Sequence, residues 1–293
     1  MASIAIIGLG NMGGGMAANL AKAGHDVRAF DLSAAALDKA EGAGCLRADT
    51  AAAAAEGAEA VVTMLPAGRH VEEVYAGGVL DAVAPGAILI DCSTIDVASA
   101  RRVAAMAAAK GLAAVDAPVS GGIGAAAAGT LTFMVGGSDE AFERARGFLA
   151  DMGKAVIHAG ARGAGQAAKI CNNMILGATM AATTEAFALA ERLGLDAQAF
   201  YDIASVSSGQ SWSMTTYCPV PGVGPTSPAD NDYQGGFAAA LMLKDLRLAG
   251  AAAAASGART PVGDTARSQY EALVEAGEGG RDFSALILKL REG

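Results

Sequence analysis

The hexapeptide Gly8-Leu9-Gly10-Asn11-Met12-Gly13 restricts the fold more than any other stretch of the chain. It follows the apolar run Ile4–Ile7 directly and leads into an Ala-rich segment of helical length, Met12–Ala23. In a strand–turn–helix unit with this spacing, the first glycine permits the tight turn and the second lets backbone approach a pyrophosphate. The third lets helix pack closely on strand. The helix N-terminus attracts the phosphates. In a chain with 39 glycines such a pattern is weak alone, and its place between strand and helix gives it weight. Asp31 ends the next strand candidate, where a carboxylate can bond the hydroxyls of an adenosine ribose. No arginine or lysine immediately follows it to hold a 2′-phosphate. The expected cofactor is NAD rather than NADP, held by Gly8, Leu9, Gly10, Asn11, Met12, Gly13 and Asp31.

Short β-prone runs recur up to about residue 160: Ile4–Ile7, Val27–Phe30, Val61–Leu65, Ile88–Asp91, Ala113–Asp116, Leu131–Val135 and Ala155–Ile157. Segments of helical length separate most of them, including Val97–Lys110 and Glu140–Met152. Ser138 before Asp139 and Glu140 supplies a cap and an acidic first turn. This alternation predicts βαβ units and a mostly parallel sheet. After Gly163 the strand signals stop. Gln166 to about Arg192 reads as one long helix closed by Gly194. Further helices are expected at Ala197–Ser205, Phe237–Ala255, Pro261–Ala276 and Phe283–Arg291, with Thr260 capping the one that begins at Pro261. The fold class is therefore α/β: an N-terminal Rossmann-type domain over residues 1–162, then an all-α domain over 163–293 joined by a long helix.

Composition excludes several function classes. Thirty acidic residues against 21 basic ones give a net charge of −9, a poor match to nucleic acid. Much of the 53 % hydrophobic content is alanine, no run reaches the ~18 apolar residues of a spanning helix, and the N-terminus lacks a basic region. No membrane partner is expected, and the cytoplasm is the expected location. The four cysteines (Cys45, Cys92, Cys171, Cys218) are scattered, which fits a reducing compartment. With three histidines in all, no metal centre is expected.

Acid–base chemistry then falls to another residue type. Lys169 and Asn173 stand four apart on the long helix and share one face. A lysine can exchange a proton with a substrate oxygen while an asparagine holds that oxygen, and a desolvated cleft would lower the lysine pKa toward working pH. The glycines just before, Gly163 and Gly165, would let cofactor and backbone approach closely. The same two residues also fit an ordinary solvated helix face. Ser120-Gly121-Gly122 fits a carboxylate cradle built from a hydroxyl and backbone N–H groups, or a plain glycine turn. The stretch from Ser205 to Gly236, with Trp212, Tyr217 and Tyr233, fits either a lid or a wandering connection.

Taken together, Ile6–Gly13 with Met16-Ala17-Ala18-Asn19, Asp116–Gly122 and the Lys169/Asn173 helix resemble the β-hydroxyacid dehydrogenases, in the family's order from end to end. Asp91–Asp96, Ser207-Ser208-Gly209 with Trp212, Tyr217–Val223, Asn231–Phe237 and Leu241–Leu246 resemble its 3-hydroxyisobutyrate-oxidising branch. Cys92 stands where that branch is expected to carry serine. The resemblance implies Lys169 as acid/base, with Ser120, Gly121, Gly122 and Asn173 binding substrate. Leu65, Pro66 and Thr94 would flank the cofactor, and Lys244 would reach it from the helical domain. Phe237 and Asp245 would line or support a closed cleft. It implies NAD-dependent oxidation of (S)-3-hydroxyisobutyrate to methylmalonate semialdehyde in valine breakdown, by a homodimer or homotetramer acting on a small 3-hydroxy acid. Rival readings are a sister enzyme, such as a tartronate semialdehyde or succinic semialdehyde reductase, and a non-catalytic dinucleotide-binding module. The length of 293 residues disfavours 6-phosphogluconate dehydrogenase.

Overall fold

Runs of aliphatic residues bounded by turn residues form the strands β1 (Ser3–Ile7), β2 (Asp26–Phe30), β3 (Leu46–Arg47), β4 (Ala60–Thr63) and β5 (Ile88–Asp91). They continue as β6 (Ala113–Asp116), β7 (Val119–Ser120), β8 (Leu131–Gly136) and β9 (Gly153–Gly160). The computed structural model describes residues 1–291. These form two units, Met1–Lys169 and the remainder from Ile170.

In the first unit the strand order is β3-β2-β1-β4-β5-β6-β8-β7, with β9 beside β8. From β3 through β6 every pairing is parallel, whereas β8 runs antiparallel to β6 and β7. Along β1, Ile4 and Ile6 enter one buried cluster while Ala5 and Ile7 enter another. Both faces of the sheet are thus covered, as a parallel sheet with crossover helices requires. The chain moves outward from β1 to β3 and returns to β1's other side as β4, which makes the carboxyl end of β1 a switch point where ligands bind in open α/β sheets.

Two-residue strands β3 and β7 lie outside the sequence expectation, and β9 is longer than Ala155–Ile157. Ser138 caps its helix as expected, its Oγ accepting the Ala141 N–H at 3.2 Å. The Ala51–Ala55, Ala125–Ala128 and Ala251–Ala255 runs all lie in helices.

The long helix spans Ala164–Arg192, and Gly194, with φ +77°, follows it. The second unit contains no paired strand among its described residues, only an isolated bridge between Ala238 and Asp282. One of its cores gathers Met242, Leu246, Tyr270 and Phe283 from the Ala239–Ser256 and Pro261–Leu273 helices and the turn after them. The other gathers Phe187, Cys218, Tyr233 and Ile287. Thr260 departs from expectation. Pro261 does open a helix, but the Thr260 side chain makes no capping bond, and φ −128°, ψ 57° place it outside the extended conformation of a usual cap. The Ser205–Gly236 stretch is packed rather than wandering. It contains the short helix Trp212–Thr215 and a 3-10 turn at Pro228–Asn231, with Cys218 and Tyr233 buried beneath. Among the described residues no helix is long and apolar enough to cross a membrane, and no group of His, Cys, Asp and Glu could hold a metal.

Candidate active site

The turn after β1 has the geometry that a dinucleotide needs. Gly8 adopts φ +93°, and a Cβ there would sit 2.3 Å from the Met64 carbonyl oxygen. A Cβ on Gly13 would sit 2.0 Å from the Gly8 carbonyl oxygen, whereas one on Gly10 would meet nothing within 4 Å. Two glycines are consumed by the protein's own packing and the middle one leaves open space, which fits the approach of a pyrophosphate. The Asp31 carboxylate lies against the same turn. Its Oδ2 accepts the Leu9 N–H and its Oδ1 the Ser33 N–H, both at 2.7 Å.

Leu65, Pro66 and Thr94 follow the ends of β4 and β5, and a buried hydrogen-bond network joins those ends. Thr63 Oγ1 donates to Asp91 Oδ1 at 2.8 Å and lies 3.2 Å from Tyr75 Oη. The Ser93 N–H donates to the same Asp91 oxygen at 3.2 Å, and Ser93 Oγ accepts the Leu65 N–H at 2.8 Å. Among the described residues Asp91 Oδ2 has no hydrogen-bond partner. Burial, with Asp116 adding repulsion, pushes the Asp91 carboxyl up to about 6. Burial, with Asp91 adding repulsion, also raises the Cys92 thiol well above its ordinary value, which disfavours the reactive thiolate.

The sign of the resulting pH dependence is fixed. Between its ordinary value of 3.8 and about 6, Asp91 holds its proton more tightly folded than unfolded. Its contribution to stability is therefore full below 3.8 and is lost as pH rises through 6. A shift of this size is worth ~3 kcal/mol. Asp91→Asn keeps the Oδ1 acceptor and removes the charge, at the cost of ~1 kcal/mol for an unpaired amide N–H. The variant is expected to exceed the parent by ~1–2 kcal/mol at pH 8, with the gap narrowing toward pH 5. Urea midpoints at the two pH values check this, and a variant weaker than the parent at pH 8 would refute it.

Ser120 ends β7, and Gly121 (φ +130°) and Gly122 (φ +70°) turn the chain into the helix Gly122–Ala128. That helix packs tightly on the one after the glycine turn: a Cβ on Gly15 would lie 2.8 Å from the Ala126 carbonyl carbon, and Asn19 Nδ2 donates to the Ala126 carbonyl at 2.8 Å.

Asp116 holds the start of the long helix, its carboxylate accepting the Gly163 N–H at 2.7 Å and the Gln166 N–H at 2.8 Å. Burial raises this carboxyl above its usual range, against those bonds. Gly165 serves this junction rather than a cofactor, since a Cβ there would lie 2.3 Å from the Met134 carbonyl oxygen. Gly163 does the same, with φ +85° against Val97 and Arg101. Lys169 and Asn173 then follow on the helix, one turn apart and both buried.

In the second unit the structure brings Asn173, Lys244 and Asp245 together. Asn173 Nδ2 donates to Asp245 Oδ2 at 2.5 Å, and Lys244 Nζ lies 3.3 Å from Asp245 Oδ1. Asn172 Nδ2 donates to Asn173 Oδ1 at 3.0 Å. Phe237 belongs to a different arrangement. Its N–H donates to Asp282 Oδ2 at 2.7 Å, and Tyr217 Oη donates to that oxygen at 2.8 Å. Asp282 Oδ1 accepts from the Ser284 N–H and hydroxyl at 2.9 and 2.6 Å. Trp212, half exposed, stacks on Tyr217. Asp91, Gln166 and Asp282 carry much of this geometry, and the sequence alone assigns a role to none of them. Each is a buried polar residue with at least one partner far along the chain, Thr63 for Asp91, Ile95 for Gln166 and Phe237 for Asp282.

Known proteins bear on this geometry. Residues 3–160 match the NAD binding domain of 6-phosphogluconate dehydrogenase, and residues 163–290 match the NAD-binding domain of NADP-dependent 3-hydroxyisobutyrate dehydrogenase. The 3-hydroxyisobutyrate dehydrogenase of Pseudomonas aeruginosa is 53 % identical, over 100 % of this chain and 99 % of that one. An NAD-dependent L-serine dehydrogenase of the same organism is 50 % identical over 98 % and 97 %. The solved structure of Mycobacterium tuberculosis 3-hydroxyisobutyrate dehydrogenase with L-serine superposes with a TM-score of 0.95 at 49 % identity, covering 99 % of each chain. With these matches running end to end over a dinucleotide turn and a buried lysine–asparagine pair, the chain belongs to the 3-hydroxyisobutyrate dehydrogenase branch of the β-hydroxyacid dehydrogenases, NAD(P)-dependent oxidoreductases acting on CH–OH groups.

Proposed function

We propose that the chain oxidises the primary alcohol of (S)-3-hydroxyisobutyrate to methylmalonate semialdehyde, with Lys169 as the acid/base. The observation that carries this reading is the buried Lys169–Asn173 pair, one turn apart on a single helix. Lys169 Nζ takes the hydroxyl proton as the carbon becomes an aldehyde. Asn173, its amide fixed by Asp245 and Asn172, orients the reacting oxygen. Ser120, Gly121 and Gly122 bind the substrate carboxylate, and in the second unit Lys244 and Asp245 support Asn173. NAD, when bound, supplies the hydride acceptor. Gly8, Leu9, Gly10, Asn11, Met12, Gly13 and Asp31 would hold it, and Leu65, Pro66 and Thr94 would flank it.

L-serine is a second candidate substrate, favoured by the 50 %-identical serine dehydrogenase. It carries an ammonium where 3-hydroxyisobutyrate carries a methyl, so the hydroxymethyl and carboxylate ends are shared. NADH formation with (S)-3-hydroxyisobutyrate, L-serine, D-glycerate and 4-hydroxybutyrate supplied separately decides the matter. Preference for the first supports the proposal, preference for another moves the chain to a sister activity, and silence on all four favours a binding module.

Asp31 is proposed to set the preference for NAD over NADP. Asp31→Ala is expected to raise KM for NAD at least ~10-fold, the effect of losing a charged hydrogen bond, and to narrow the preference over NADP. Unchanged kinetics with both cofactors would remove Asp31 from the ribose site. A homodimer or homotetramer is also proposed. Leu189, Leu193, Leu195, Ile203 and Val206 are exposed on the helical unit, apolar side chains that a second copy would cover. Four unpaired thiols fit a reducing, cytoplasmic setting.

A further inference from the structure

Gln166 lies one helical turn before Lys169, and its side chain is fully buried. The amide makes two bonds to a distant loop. Oε1 accepts the Ile95 N–H at 3.1 Å, and Nε2 donates to the Ser93 carbonyl at 2.7 Å. Thr94 is the residue between them. Capping the helix is not the purpose of these bonds, since Asp116 already takes the Gln166 N–H and the Gly163 N–H. The side-chain amide is thereby left wholly to the 93–95 loop. That loop also holds the next one: Ser93 Oγ accepts the Leu65 N–H, and the Ser93 N–H is fixed by Asp91.

A planar amide bonded at two points removes both translation and rotation of the segment it grips. The residues gripped here bracket Thr94, and the residue doing the gripping is rigidly linked through one helical turn to Lys169. Besides satisfying two buried backbone groups, the amide fixes the backbone on both sides of Thr94. Hydride and proton must leave the same carbinol group together, so the cofactor side of the site and the lysine need a fixed spacing. Errors of ~1 Å in such spacing cost up to ~10²-fold in rate.

We propose that Gln166 is a positioning residue for the dehydrogenase reaction, clamping the Ser93–Ile95 backbone, and with it Thr94, to the helix that carries Lys169. The proposal rests on Lys169 as acid/base and Thr94 as a cofactor neighbour.

Gln166→Glu and Gln166→Met test it against Lys169→Met in the full-length protein. An ionised glutamate can still accept from Ile95 but faces the Ser93 carbonyl with an acceptor, while a protonated one donates as glutamine does. The kcat of Gln166→Glu relative to the parent is expected to fall at least ~10-fold at pH 8.5 and to recover as pH is lowered toward 6. Gln166→Met is expected to stay low throughout, with KM for NAD raised in both. Thermal melts at each pH establish that the protein is folded under assay conditions. A merely structural amide would not yield an acid-side recovery in a folded enzyme. If both Gln166 variants keep kcat and KM for NAD within twofold of the parent at both pH values while Lys169→Met is inactive, the clamp alone is overturned. Full turnover in Lys169→Met would overturn the lysine assignment and the clamp with it.

Discussion

Lys169→Met is expected to lower kcat by at least ~10²-fold, the usual loss when a general acid/base is removed, while NADH binding stays near normal. Methionine preserves the length and much of the bulk of the buried side chain, so the helix that also carries Asn173 should keep its packing. The loss should fall on kcat rather than on KM, because the proton moves only as the C–H bond breaks. Fluorescence titration with NADH separates cofactor binding from turnover. Near-parental kcat with normal binding would mean that another group handles the proton, and Lys169 would return to being one buried polar residue among several.

The second large effect is expected at the glycine turn, where two substitutions of the same kind should fail differently. Gly13→Ala places a Cβ 2.0 Å from the Gly8 carbonyl oxygen. Both sides of that contact are backbone, so no rotamer change relieves it, and the loss in stability is expected to reach ~3 kcal/mol or more. Gly10→Ala meets nothing within 4 Å. It should leave the melting temperature nearly unchanged while weakening NADH at least ~10-fold, because the methyl stands in the space assigned to the pyrophosphate. Thermal melts and NADH titrations on the two variants check this. Normal NADH affinity in Gly10→Ala would place the phosphates elsewhere.

The parts of this architecture that sequence reveals are those with local causes. β1, β4, β5 and β6 are short aliphatic runs buried on both faces, so their composition alone marks them. The glycine turn is legible because three glycines at fixed spacing fall within six residues between a strand and a helix. β3 and β7 escape notice because two-residue strands have no periodicity to detect. The two ends of β9 lie hidden in Gly153-Lys154 and His158-Ala159-Gly160, which carry no strand-like pattern of their own. Thr260 shows the converse, a good local signal that the backbone conformation does not use.

For the candidate site the division is the same. Helical spacing puts Lys169 and Asn173 on one face, which a solvated face would also explain, and only the family resemblance singles them out. The residues that hold this region in shape carry no local signal at all. Gln166 finds its loop partner 71 positions away, Asp116 reaches Gly163 across 47, and Asp282 reaches Phe237 across 45. Such pairings exist only after the sheet and helices have brought remote segments together. In the sequence Gln166 only opens a helix, Asp116 only heads a motif block, and Asp282 is one aspartate among many.

The bonds that Asp31 makes have a consequence for how the cofactor is received. Its carboxylate is already aligned by the Leu9 and Ser33 N–H groups. An ionised carboxylate offers about four lone-pair directions, so roughly two remain for a ribose. The rotamer entropy that a free aspartate would surrender on meeting its ligand has therefore been given up during folding. The proposed adenosine end would dock onto a receptor that is rigid beforehand, and its hydroxyls would need to order only themselves.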